Sequence, residues 1–119
     1  MAVRISVLAL ISVLILGGLF VILRPDPNEI SPEKRSLDVE IQGDNMTPEQ
    51  ISVHEGDKVT LNVTTDRSVE MHVHGYDLEE EIESDEPTKI SFEADLTGRF
   101  PVENHNTEAE LGVLVVQPR

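Results

Sequence analysis

"PEQISVHEGDKVTLNVT", residues 48 to 64, carries the period on which the fold turns. Beyond the turn signal at Glu55-Gly56-Asp57, Val59, Leu61 and Val63 alternate with Thr60, Asn62 and Thr64. Side chains two positions apart share a face only in an extended chain, so the segment reads as a strand with one buried face. The same period appears on either side. Leu37, Val39 and Ile41 alternate with Asp38 and Glu40; Val69, Met71 and Val73 come next, then Ile90 with Phe92, then Leu111, Val113 and Val115. Turn residues at Gly43-Asp44, Thr65-Asp66, Asp85-Glu86-Pro87 and Thr97-Gly98 separate these runs. Several short strands at this spacing predict an all-β sandwich or barrel over residues 36–119.

The first residues are of another kind. Ile5 to Leu23 is an uncharged apolar run broken only by Ser6, Ser12 and Gly17-Gly18. As a helix it would reach about 28 Å, close to the hydrocarbon thickness of a bilayer. The rival reading, a cleaved signal peptide, needs a shorter apolar stretch and a small-x-small site, which Arg24-Pro25-Asp26-Pro27 does not supply. Residues 1–24 are therefore expected to be a signal-anchor transmembrane helix. Residues 25–35, with three prolines and alternating charges, are expected to be a stiff solvated linker.

Charge sets the expected orientation. Residues 25–119 hold all 23 acidic residues against seven Lys and Arg, a net of −16. Acidic domains cross a membrane readily while short positive flanks stay behind, so the domain is expected outside the cytoplasm on a single-pass anchor in the cell membrane. The acidity argues against nucleic acid as a partner. Cysteine is absent, so no disulfide supports the fold.

In order along the chain, four words resemble the cupredoxin family. Residues 48–64 are similar to its opening strand, Gly-Asp turn and second strand. "VHGYDLEEEI", 73–82, resembles the piece in which a ligand histidine precedes a small residue and an aromatic. "ISFEADLTGRFPVENH", 90–105, is similar to the corner leading to the ligand loop, and "LGVLVVQP", 111–118, to the closing strand. The resemblance implies a cupredoxin-like Greek-key β-sandwich after one N-terminal transmembrane helix. It also places the family's cysteine ligand at Asn104, and the adjoining "HNTEAELG" lacks the second histidine and the methionine. Blue copper needs a soft thiolate, so a blue-copper electron carrier is excluded.

Histidine remains. The resemblance puts His74, or His72 after a shift of two, at the first ligand position and His105 beside the vacant cysteine. Residues i and i+2 of a strand share a face, so His72 and His74 can bite one ion together. With His105 they would form a three-imidazole set for Cu(II) or Zn(II), with Asp77 or Glu103 adding an oxygen. Ligation needs neutral imidazole, so affinity would fall as pH drops through roughly 6.5. The plainer reading leaves both histidines solvated, or bonded to carboxylates, on the face opposite Val69, Met71 and Val73. His54 reads as a turn residue, residues 77–87 as a solvated hairpin, and Tyr76 as ring-in, hydroxyl-out.

Two functions stay open: a membrane-anchored extracytoplasmic domain that binds copper or another divalent ion through His72, His74 and His105, and a metal-free interaction module docking to another protein of the cell envelope. No nucleophile-base pair or phosphate-binding loop stands out, so an enzyme is not expected.

Overall fold

The computed structural model describes residues 2–24 and 31–119, with side chains from 7 onward. The chain divides into two compact units, Met1–Ile30 and Ser31–Arg119. The first contains helix α1, Ala2–Ile22. Its described apolar side chains are exposed on every side, as in Leu8, Leu14 and Ile22. Among the described residues no helix is long and apolar enough to cross a membrane. The side chains described in α1 run from Val7 to Ile22, about 24 Å of helix against a hydrocarbon core of about 30 Å. The expected membrane span is therefore not met within them. Residues 25–30 of the expected linker lie outside the described residues.

The second unit is a two-layer β-sandwich. Its strands are β1 (Lys34–Gln42), β2 (Asn45–Thr47), β3 (Gln50–His54), β4 (Lys58–Thr65), β5 (Val69–Val73), β6 (Leu78–Ile82), β7 (Thr88–Glu93), β8 (Gly98–Asn104) and β9 (Ala109–Gln117). One sheet runs β2-β1-β4-β7, the other β3-β9-β8-β5-β6. Regular structure thus starts at Lys34, inside the expected linker. The alternation of the central strands is that of one buried face: Val39 and Ile41, Val59, Leu61 and Val63, and Val69, Met71 and Val73 are all buried. These inner faces meet Val53, Ile82, Ile90, Val102, Leu114 and Val116 in one core.

In β9 the alternation breaks. Leu111 is buried, but the inward set continues through Leu114 and Val116, with Val113 and Val115 only half-buried. The cause is a bulge. Val102 pairs with Gly112 while Glu103 pairs with Glu110, which leaves Leu111 as the extra residue. One inserted residue exchanges the two faces of everything after it.

A buried carboxylate ties the base of the sandwich. Asp57 is only 2% exposed. Its carboxylate accepts hydrogen bonds from the amides of Glu33 (2.9 Å) and His54 (3.0 Å) and pairs with the Arg119 guanidinium at 2.6 Å. Burial pushes the Asp57 carboxyl up, but the two amides and Arg119 outweigh it and hold it below the usual aspartate value. His54 belongs to this structural knot through its backbone; it is the last residue of β3, half-buried and just before the turn, rather than a turn residue as expected.

Candidate metal centre

The residues of "MHVHGYD" divide between strand and turn. Met71 and Val73 point into the core from β5, and His72 lies on the opposite, outward face, in register with Glu103 of β8 and Glu79 of β6. His74 has already left the strand; its amide donates to the carbonyl of Pro101 at 2.9 Å. Gly75 comes next, with φ of +85°, and lies against the Phe100 ring, where a Cβ would come within 2.6 Å of a ring carbon. Only glycine meets both demands. Tyr76 then turns inward, edge-on to Phe92 and Phe100. Its hydroxyl is not outward as expected: it donates to the Leu96 carbonyl at 2.7 Å and accepts from the Leu96 amide at 3.0 Å. The small residue and the aromatic after the histidine are therefore packing elements of the β5–β6 turn.

His105 opens the turn between β8 and β9, its amide donating to the Glu70 carbonyl at 2.8 Å. That bond brings its ring beside β5. The His72 centroid lies 4.7 Å from that of His74 and 5.9 Å from that of His105. The three histidines singled out in the sequence do gather in one place. Of the two oxygen candidates, Glu103 is present, its Oε2 at 2.6 Å from His74 Nε2. Among the described residues no hydrogen bond or ion pair joins Asp77 to the histidines. Glu70 and Glu79 complete the surroundings. They share a hydrogen bond, which together with burial and the neighbouring Glu79 charge raises the Glu70 carboxyl above its usual value.

The gathering is not yet a chelate. Among the described residues no group of three or more His, Cys, Asp or Glu is arranged to hold a metal ion. Ligand nitrogens must aim at one point roughly 2.0–2.1 Å away. Here His72 and His74 are tilted by 52°, His72 and His105 meet at 89°, and His74 Nε2 faces a carboxylate. Metal binding would require the rings to turn and Glu103 to yield or join.

Position 104 does not fit a copper-thiolate centre. Asn104 is 3% exposed and paired with Met71, and its Oδ1 accepts the Asn106 amide at 3.2 Å. Its side chain is on the inward face of β8, whereas His72 is on the outward face of β5. The chain has no thiolate to offer there, and His72 lies on the other side of the sheet.

No curated protein matches the chain. Among solved structures, it is similar to the multicopper oxidase mgLAC, at 20% identity and a TM-score of 0.59, over 72% of this chain and 39% of that one. The chain thus spans well under half of that oxidase. It is similar at 16% identity and TM-score 0.56 to the metal-binding domain of the Cu(I)-exporting P-type ATPase CopA of Streptococcus pneumoniae D39, over 74% of this chain and 98% of that one. It also resembles a chain in a heme-copper terminal oxidase dimer, at 17% identity and TM-score 0.63, over 98% of this chain and 100% of that one. These likenesses describe the fold. The family described as Cupredoxin-like domain matches residues 12–116, nearly the whole length, and the chain belongs to that family.

Proposed function

We propose that the protein is a membrane-anchored, extracytoplasmic cupredoxin-like module that carries no blue copper and serves by docking within a membrane assembly. The observation that carries this reading is Asn104, buried where the resemblance puts the thiolate and hydrogen-bonded to its own turn. Electron transfer through blue copper is closed to such a chain. The anchor rests on the apolar run Ile5–Leu23, and the outward placement on the acidity of residues 25–119. Docking is supported by the match over 98% of this chain to a whole chain of a terminal-oxidase assembly. On this reading the chain is not an enzyme. Native electrophoresis of detergent-solubilised membranes tests it: the chain should migrate with a larger complex, and migration as a lone chain sinks the docking role.

A second reading, a weak divalent-ion site, is favoured by the approach of His72, His74 and His105. Copper(II) would be preferred to zinc by the general affinity order. Calorimetry with Cu(II) at neutral pH tests it; saturable one-to-one binding supports it, and its absence leaves the module alone.

A further inference from the structure

The chain is strongly acidic, with nine Lys and Arg against 23 Asp and Glu. Yet all three of its lysines, Lys34, Lys58 and Lys89, line one shallow groove with Arg35, Ser36, Thr60 and Asn62. The groove is the outward face of β1, β4 and β7. Its floor is hydroxyl and amide: the Asn62 amide donates to Ser36 Oγ at 3.2 Å, and Thr60 Oγ1 lies 3.1 Å from Ser91 Oγ beside the groove.

Lys34 and Lys58 stand directly opposite each other in the parallel register of β1 and β4. Like charges so placed oppose the pairing. Relief is at hand in a chain so rich in carboxylates, but it is not taken. Arg35 pairs with Glu33 and Asp57, whereas no described ion pair engages Lys34, Lys58 or Lys89. Glu93 lies in register with Lys58 without pairing, and Asp38 is held by the Asn62 amide at 3.0 Å. Three ammonium groups are thus displayed together with no ion-pair partner among the described residues.

We propose that this face docks an extended acidic segment of a partner protein. The proposal rests on the module reading above and names its surface. Lys58 and Asn62, the register partner of Lys89, are four residues apart on β4. That is about 13 Å, a span for several residues of extended chain rather than one small anion. Asp38, Glu40 and Glu93 on the same face would repel a uniformly anionic membrane surface. A discrete segment can set its carboxylates on the lysines and avoid them, which is how complementary charge gives specificity.

The test is an amide NMR titration of the full chain in detergent micelles with a capped octapeptide of alternating Glu and Ser. Saturable shifts are expected at Lys34, Ser36, Thr60, Asn62 and Lys89, weakening steeply with salt. Combining Lys58→Glu with Lys89→Glu should weaken binding at least about tenfold, while Lys→Arg at both positions should keep it within about threefold. Arg67→Glu with Arg99→Glu makes the same charge change elsewhere and should leave it near wild type. The absence of saturable shifts overturns the proposal. So does equal saturation by inorganic phosphate, or displacement of the peptide by phosphatidylglycerol vesicles. A native complex that persists in the Lys58→Glu, Lys89→Glu chain overturns this face alone and leaves the docking role standing.

Discussion

The Nε2 atom of His74 lies 2.6 Å from Oε2 of Glu103, joining the β5–β6 turn to the outward face of β8. The carboxylate either orients an imidazole for a metal or competes with the metal for it. If His72, His74 and His105 bind Cu(II), Glu103→Gln should weaken the affinity by roughly tenfold, the usual effect of removing a carboxylate that supports a ligating histidine. Calorimetry decides. Tighter binding in the variant would make Glu103 a competitor, and replacing the three histidines by Ala should abolish binding without unfolding the domain.

Cu(II)-loaded protein should show no intense visible charge-transfer band, because the chain contains no thiolate. Asn104→Cys should not create one either, since position 104 faces the core beside Met71 while His72 faces outward. Absorption spectroscopy of the loaded variant checks this. A blue band would mean that the two faces communicate at the turn.

Asp57→Asn should cost about 2–3 kcal/mol, since it removes the charge that Arg119 meets in a buried setting and weakens the acceptance of two amides. Because the folded-state carboxyl titrates below its unfolded value, its stabilisation is complete above the ordinary aspartate value near 3.8 and is lost as pH falls through the lower folded one. Wild-type stability, tracked by denaturant midpoints, should drop across that acid window. The variant should show a shallower drop, and parallel curves would remove Asp57 from the account.

Tyr76→Phe should cost about 1–2 kcal/mol, leaving the Leu96 amide and carbonyl without the hydroxyl that serves both. Gly75→Ala should cost more, through its positive φ and its collision with Phe100. Thermal melts compare the two. A neutral Gly75→Ala would show that the turn can open away from the ring.

The strands with clean alternation were legible because burial on one face enforces a period of two, as in Val59, Leu61 and Val63. β9 was legible as a strand but not in its facing, because a bulge at Leu111 depends on how β8 is paired and leaves no local mark. β6, "LEEEI", hid within the stretch read as a solvated hairpin: its middle residues are all exposed carboxylates, with apolar residues only at its ends. The approach of His72, His74 and His105 was readable from family order. Their orientation was not, since it is set by backbone bonds from His74 to Pro101 and His105 to Glu70. The lysine groove was invisible, because its residues come from three strands whose register no short stretch reveals.

β6 is also the last strand of the five-stranded sheet, with one side unpaired. A bare strand margin is a template on which a second molecule can add its own strand. Glu79, Glu80 and Glu81 guard it by repulsion while ionised. Replacing Glu79, Glu80 and Glu81 together by Ser should therefore disarm the margin without touching the Asp57 knot, so that folded molecules stick edge to edge. Aggregation in the cold, with native circular dichroism preserved, would be the sign of it.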